Sequence, residues 1–125
     1  MRFMMFMIPN ISDDDWMPPV EAVEAMTKYN EELTKAGVLL ALDGLRPGSE
    51  GVRVSFPGGK PTVTDGPFAE AKEVIGGYWL IEVKTKDEAV EWAKRCPGSE
   101  REVIEVPQVF EMDEFPPEHR KAGGL

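Results

Sequence analysis

The sequence predicts an α+β fold, and three observations support this prediction. First, 125 residues with a 42% hydrophobic and a 30% charged share suit one compact globular domain. Second, the apolar patterns follow the order strand, helix, strand, then a hairpin, then strand, helix, strand. Third, two of the strands are apolar on both faces. Two strand–helix–strand units joined in one four-stranded antiparallel sheet, with both helices on one face, form a ferredoxin-like plait.

The first unit covers residues 3–45. Its opening strand, residues 3–8, is apolar at every position and ends at Pro9. A helix is predicted to begin after Pro18 and Pro19 and to end before Gly37, which suits the position that follows a helix. One side of this helix carries an apolar stripe of Val20, Val23, Met26, Tyr29 and Leu33. The stretch "VLLALDGL" then predicts a second strand, parallel to the first.

The hairpin insertion and the second unit follow. "VRVSF" and "PTVT" flank the turn "PGGK" and predict a hairpin. "GGYWLIEVK" predicts the next strand, and "TKDE" is a capping box with Thr85 as N-cap and Glu88 at N3. The apolar stripe of this second helix comprises Ala89, Trp92, Ala93 and Cys96. Pro107 in the last strand indicates an edge or a bulge. We predict a single domain over residues 1–112 and a polar, flexible tail over 113–125.

The apolar faces of the sheet predict a homodimer. Both helices cover one face, yet the strands at 3–8 and 78–83 are apolar on both faces. Each large apolar side chain left in water forfeits roughly 1.5–3 kcal/mol. A second copy packed sheet against sheet is the expected cover, and the alternative is a monomer in which the tail or the hairpin folds over that face.

The net charge limits the partners that we expect. With a net charge of −9, the chain is expected neither to bind nucleic acid independently of sequence nor to dock on anionic membranes. No segment reaches the roughly 20 apolar residues of a membrane span. The apolar run at 3–8 is shorter than that of a signal peptide and is followed by no small-residue cleavage site. We therefore expect a cytoplasmic protein.

The sequence contains few side chains suited to catalysis or metal binding. Cys96 is the single cysteine, so one chain forms no internal disulfide and no thiolate metal cluster. His119 is the single histidine and lies in the predicted tail, which excludes a His-based metal site or a Ser-His-Asp triad within the folded part. "PGGK" lies in a hairpin turn and is no phosphate-binding loop. We expect neither a metal nor a cofactor.

Three stretches together resemble the DGPF-domain family, small bacterial proteins of the wider YCII-related group. They are "AGVLLALDGLRP" at 36–47, "TVTDGPFAEAKEVIGGYWLIEV" from 62, and "DEAVEWAKRCPG" at 87–98. The resemblance implies the dimeric α+β barrel form of the ferredoxin-like plait. It also implies a sigma factor as a partner, because some relatives are encoded beside or fused to alternative sigma factors. Some YCII relatives act on small aromatic compounds with a His–Asp pair, and the folded part of this chain lacks that histidine.

The corner "DGPF" at 65–68 has two readings. As a turn, Asp65 accepts hydrogen bonds from nearby amides, Gly66 tolerates unusual dihedral angles, Pro67 pre-sets the turn, and Phe68 anchors the loop in the core. As part of a site, Asp65 is a carboxylate at the mouth of a cleft, able to accept a proton or to bind a ligand hydroxyl. The resemblance gives weight to the second reading because this corner defines the family.

Charged residues on either side of this corner are further candidates. Glu70, Lys72 and Glu73 form a solvated loop in the simpler reading; in the functional one, Lys72 holds an anionic group and Glu73 acts as a base. Arg46 is placed to pair with Asp43 or Asp65, as structural support or as a binder of a ligand carboxylate.

Four more residues complete the set of candidates. Trp16 and Met17 lie in a loop where they could form a lid over a pocket. Glu82 is the one charge on an apolar strand and is expected at its wet end, although a buried Glu82 would be a site candidate. Cys96 is expected to be an inert buried thiol.

Two functional hypotheses follow. The first is a homodimeric module that binds a small organic ligand, or that serves as an accessory to a sigma factor, without catalysis of its own. The second is an enzyme that acts on a small organic substrate, an aromatic one included, by proton transfer, with Asp65 as base and Arg46 or Lys72 orienting an anion.

Overall fold

The computed structural model describes residues 1–66 and 74–124. Its main sheet has four antiparallel strands, β1 (Arg2–Ile8), β2 (Leu39–Gly44), β5 (Gly77–Glu82) and β6 (Val103–Glu105), in the order β2-β5-β1-β6. A separate two-stranded hairpin pairs β3 (Val52–Ser55) with β4 (Thr62–Asp65). The helices are α1 (Val20–Lys35), α2 (Lys86–Arg95) and α3 (Pro117–Ala122). This confirms the predicted α+β class and the ferredoxin-like plait.

The pairing pattern explains how the two units combine. β5 pairs antiparallel with both β1 and β2, so β1 and β2 run parallel to each other with β5 between them. β6 forms the edge beside β1, and Pro107 continues the same register, because Met4 N–H donates to the Pro107 carbonyl at 2.9 Å. The edge position tolerates a residue that has no N–H to donate, as predicted.

The core lies between the helices and one face of the sheet. Alternate residues of β1 and β5 are buried on that face, including Phe3, Met5 and Ile81. α1 contributes Tyr29 and Leu33, and α2 contributes Ala89 and Trp92. Both helices therefore cover the same face, because residues of either helix share one buried cluster with that face.

The two helix ends are built largely as predicted. Thr85 caps α2, with its hydroxyl accepting from Glu88 N–H at 3.1 Å. The Glu88 carboxylate, however, accepts from Lys84 N–H rather than from Thr85, so the capping box is closed one residue earlier than predicted. Gly37 follows α1 with φ of +74°, the left-handed conformation that favours glycine there.

The first turns of the predicted apolar stripe of α1 lie outside the core. Tyr29 and Leu33 are buried, but Val20 and Val23 are 68% and 47% exposed. An amphipathic stripe indicates which side of a helix faces the core. It does not indicate how far along the helix the core extends.

Tyr29 joins the two helices through a buried hydrogen bond. Its hydroxyl donates to the Trp92 carbonyl at 2.6 Å, and its ring packs edge-on against Trp79 and Trp92. Burial raises the pKa of Tyr29 well above its usual value, so the hydroxyl keeps its proton. Tyr29→Phe leaves the buried carbonyl unpaired, and we expect the free energy of unfolding in urea to fall by about 1–2 kcal/mol.

Tyr78 supplies the matched control for this prediction. Its hydroxyl donates to Asp43 Oδ2 at 2.7 Å, but at an exposed position where water replaces the lost partner. Tyr78→Phe is expected to lower the free energy of unfolding clearly less than Tyr29→Phe. Equal losses in the two variants would contradict the buried role of Tyr29.

The segment predicted as a polar tail contains a 3-10 turn at Met112–Glu114 and then α3. The ring of Phe110 stacks on Phe115 with centroids 4.1 Å apart. Just before the predicted tail, Arg2 of β1 donates two hydrogen bonds to Glu111, at 2.7 and 2.9 Å. The stacking of Phe115 on Phe110 is therefore a contact between the predicted tail and the domain that precedes it.

The Arg2–Glu111 pair predicts a pH dependence. The hydrogen bond from Arg2 lowers the pKa of Glu111 in the folded chain, so the stabilisation is fully present above the ordinary pKa of glutamate, about 4.3. It is lost as the pH falls through the lowered pKa. We expect wild type to unfold at higher urea than Glu111→Gln at pH 7, and this difference to shrink towards pH 3. A difference that stays constant with pH would contradict the pair.

Candidate ligand-binding site

A cleft of about 430 Å³ opens between the end of β2 and the residues that precede β5. One wall is the turn that connects β2 to β3, and the other is formed by Val74 and Ile75. We call it the β2–β3 cleft. Its described lining consists of Leu45, Arg46, Pro47, Gly48, Glu50, Gly51, Arg53, Val74 and Ile75.

Backbone hydrogen bonds fix the position of this turn. Leu45 N–H donates to the Gly76 carbonyl at 2.9 Å, which ties the start of the turn to the strand opposite. Glu50 N–H donates to Pro47 and Gly51 N–H donates to Gly48, both at 3.0 Å, and close a 3-10 turn over Gly48–Glu50. The cleft wall is therefore held from both ends.

The charged groups in the described lining of the cleft are two guanidinium groups and one carboxylate. Arg46 donates from Nε to Glu50 Oε1 at 2.9 Å, and its Nη2 lies 2.8 Å from the same oxygen. The predicted pairing of Arg46 with Asp43 or Asp65 is not what the structure shows, because Asp43 accepts instead from Tyr78, a hydrogen bond that raises the pKa of Tyr78. The Arg46 side chain is 84% exposed. Exposed ion pairs of this kind contribute little and exchange readily with a competing anion.

Arg53 contributes the second guanidinium group to the cleft, and it is not among the site residues predicted from the sequence. It lies in β3, opposite Thr64 in the register of the hairpin. Because side chains alternate along a strand, Arg53 points to the face of the hairpin opposite Val52 and Val54. The alternation in "VRVSF" marks this arginine as a residue on the polar face, but nothing local indicates that this face borders a cleft.

Gly66 brings the predicted corner against the wall of the cleft. Its N–H donates to the Gly51 carbonyl at 3.1 Å. A Cβ at this position would lie 2.7 Å from Ser49 Cα and closer still to the Gly48 carbonyl oxygen. The φ of Gly66 is not positive, so its backbone does not use the left-handed conformation that glycine favours. Glycine fits here because two backbone segments approach each other closely.

The remaining predicted residues are placed differently. Asp65 ends β4, opposite Val52 and exposed, and the described lining of the cleft does not include it. Trp16 is partly buried and donates from Nε1 to the Leu45 carbonyl at 3.0 Å, so its indole is anchored at the first residue of the cleft. Met17 is 84% exposed. Pro67, Phe68, Glu70, Lys72 and Glu73 lie outside the described residues.

The structure also shows the surroundings of the two remaining candidates, Glu82 and Cys96. Glu82 is exposed at the end of β5, as predicted for a wet strand end. Cys96 is half-buried beside the core, and burial raises its pKa to about 12, so it is a neutral thiol at physiological pH. Within residues 1–66 and 74–124, no three acidic, cysteine or histidine side chains are grouped so that they could hold a metal ion. None of the helices in the described chain has the length and apolarity needed to cross a membrane.

The protein is thus an α+β protein of the ferredoxin-like plait class. Its helices cover one face of the sheet, and a cleft lies beside the inserted hairpin. Comparison with known proteins is consistent with that class. The model of the YCII-related domain matches residues 1–113, and the chain belongs to this family. It is also 32% identical over 69 residues to an uncharacterised protein of Rhizobium meliloti (strain 1021). That match spans 55% of this chain and 56% of the relative.

Proposed function

We propose that this protein is a homodimeric module that binds a small organic anion in the β2–β3 cleft. The observation that carries the proposal is the pairing of two guanidinium groups with apolar walls in one cleft. Arg46 and Arg53 suit a carboxylate, because a guanidinium matches its geometry with two parallel hydrogen bonds. Pro47, Val74 and Ile75 suit an apolar body.

The size of the cleft limits the ligand. Its volume of about 430 Å³ lies within the range of roughly 300–1,000 Å³ that small-molecule sites show. When no ligand is bound, the Arg46 guanidinium is paired with the Glu50 carboxylate, so a ligand carboxylate competes with Glu50 for Arg46. The proposed class is therefore a small monocarboxylate with an apolar or aromatic body.

An NMR titration tests the proposal. Benzoate added to ¹⁵N-labelled protein is expected to shift the amide signals of Gly48, Gly51 and Ile75, and isosteric benzamide is not. Arg46→Gln combined with Arg53→Gln should abolish the shifts. Arg95→Gln is the matched control, because Arg95 lies over the Trp92 ring, 4.3 Å from its centroid. Identical shifts with benzamide, or no shift with any carboxylate at millimolar concentration, would overturn the anion site.

The homodimer in this proposal rests on the sheet face opposite the helices, which we call the open face. It carries Met4, Phe6 and Leu80, all only half-buried within one chain. At the strand edges Leu40 is 50% exposed and Val103 is 48% exposed. A second copy related by a two-fold axis places this face against itself and shelters both. In the alternative proposal, an accessory role, a sigma factor covers the open face in place of a second copy. This alternative requires the purified protein alone to stay monomeric.

Catalysis with Asp65 as base is a second candidate function. It is favoured by one observation: Asp65 precedes Gly66, whose N–H is bonded to the cleft wall at Gly51. Asp65 is therefore adjacent in the chain to a residue that is hydrogen-bonded to the cleft wall. If a substrate is found by screening carboxylates for turnover, Asp65→Asn should lose the activity and retain binding. Full activity in that variant would exclude this role.

A further inference from the structure

The β2–β3 cleft offers a ligand an anionic partner as well as its cationic ones. Glu50 lines the cleft together with Arg46 and Arg53. Its Oε1 accepts from Arg46 Nε at 2.9 Å and lies 2.8 Å from Arg46 Nη2. A site for a simple anion gains nothing from a carboxylate beside its guanidinium groups, because like charges placed together oppose binding. The presence of Glu50 therefore bears on which carboxylate the cleft accepts.

The backbone of Glu50 is fixed beside the cleft. Its N–H donates to the Pro47 carbonyl at 3.0 Å, within the 3-10 turn over Gly48–Glu50. The carbonyl of the next residue, Gly51, accepts from Gly66 N–H at 3.1 Å. When a ligand binds, only the side chain of Glu50 is free to turn. Its carboxylate therefore stays close to the ligand.

This arrangement distinguishes two kinds of carboxylate ligand. A simple monocarboxylate that pairs with Arg46 takes away the cation of Glu50 and places two negative charges near each other. A ligand with an ammonium group next to its carboxylate gives Glu50 a new cation instead. An α-amino acid carries both groups on one carbon, so its two charges are adjacent, as are those of the Arg46–Glu50 pair. Such a zwitterion replaces the ion pair and leaves neither charge of the pair without a partner.

The remaining lining of the cleft indicates the side chain of such a ligand. Leu45, Pro47, Val74 and Ile75 are apolar. Val74 and Ile75 are only half-buried, so a ligand that covers them removes apolar surface from water. The volume of about 430 Å³ lies in the range of small-molecule sites. These walls suit an aliphatic or aromatic side chain.

We propose that the ligand is a free α-amino acid with an apolar side chain and that Glu50 is the residue that selects it. The carboxylate of the amino acid pairs with Arg46 and Arg53, and its ammonium group pairs with Glu50. This inference rests on the proposed anion site and narrows its ligand class. It does not depend on the proposed homodimer.

Two ligands that differ in the ammonium group alone test the proposal. Phenylalanine and 3-phenylpropanoate share the carboxylate and the aromatic body, and 3-phenylpropanoate lacks the ammonium group. In an NMR titration of ¹⁵N-labelled wild type at pH 7, we expect phenylalanine to bind at least about fivefold more tightly. If 3-phenylpropanoate binds as tightly as phenylalanine, the proposal is overturned. Because this comparison uses wild type alone, it does not depend on how a variant folds.

Glu50→Gln then tests the residue that makes the distinction. The substitution keeps the size of the side chain and removes its charge, so we expect the two ligands to bind this variant within about twofold of each other. We also expect 3-phenylpropanoate to bind it more tightly than it binds wild type, because no carboxylate then competes for Arg46. A variant that keeps the wild-type preference for phenylalanine would show that Glu50 does not hold the ammonium group.

Glu91→Gln is the matched control. The Glu91 carboxylate also pairs with a cation at an exposed position, Lys94 Nζ at 3.1 Å, but it lies on α2 and outside the described lining of the cleft. The substitution changes the net charge by the same amount, and we expect the wild-type preference for phenylalanine to remain. Loss of the preference in both variants would assign it to the charge of the whole chain and overturn the role of Glu50.

The outcomes also separate this inference from the proposed anion site. If benzoate and 3-phenylpropanoate bind wild type and phenylalanine binds no more tightly, the anion site stands and the amino-acid ligand is excluded. If none of the three shifts the amide signals at millimolar concentration, the anion site falls and this inference falls with it.

Discussion

Leu80→Asp is expected to abolish the proposed homodimer while the chain stays folded. Leu80 lies in β5 at the centre of the open face, opposite Met4 on one side and Ala41 on the other. It is half-buried in one chain, so the substitution leaves the core intact. In the dimer, two unpaired carboxylates enter an apolar interface, and the contacts of two leucines, roughly 1.5–3 kcal/mol each, are lost as well. We expect Kd to rise by more than about 1,000-fold in sedimentation equilibrium.

Val23→Asp is the matched control for this prediction. Val23 is 47% exposed and lies on α1, which covers the opposite face of the sheet. The substitution changes the net charge by the same amount, so it accounts for repulsion between two acidic copies. We expect this variant to dimerise as wild type does. A Leu80→Asp protein with wild-type Kd and an unchanged near-ultraviolet spectrum would show that the open face is not the interface.

The parts of the fold that the sequence predicted correctly are those encoded by local patterns. In strands β1 and β5, buried and more exposed residues alternate within short contiguous stretches. Thr85 caps α2 because its hydroxyl accepts from the N–H of Glu88, three residues further along the chain. Such signals need only neighbouring residues. The exposure of Val20 and Val23 depends instead on how far the sheet extends beneath α1, which no local pattern encodes.

The site was harder to predict because its residues are distant in the sequence. Val74 and Ile75 meet the turn at 45–51 only after the sheet has formed. The partner of Arg46 was predicted wrongly because the 3-10 turn over Gly48–Glu50 brings Glu50 to it, four residues away. A turn rich in glycine and proline indicates a bend but not which side chains it brings together.

Gly66→Ala is expected to destabilise the fold and to remove ligand binding. Its new Cβ would collide with Ser49 Cα and with the Gly48 carbonyl, both backbone groups that a side-chain rotation cannot move away. Overpacking of this kind costs about 1–3 kcal/mol, which we expect as the fall in the free energy of unfolding in urea. Relief of the collision requires residues 48–49 to shift, and these form the wall of the β2–β3 cleft. The amide shifts induced by benzoate should therefore disappear or weaken at least tenfold in affinity.

Gly51→Ala separates this collision from the general cost of replacing a glycine in the turn. Gly51 lies in the same turn with φ of −99°, and a Cβ there would be 3.5 Å from the Gly48 carbonyl oxygen, an ordinary contact. We expect this variant to keep its stability, because the new methyl group meets no close backbone neighbour and also restricts the unfolded chain. Its affinity for benzoate should stay within about twofold of wild type, since the turn need not move. If Gly66→Ala and Gly51→Ala unfold at the same urea concentration and bind benzoate alike, the close approach of Gly66 to residues 48–49 is not what shapes the cleft.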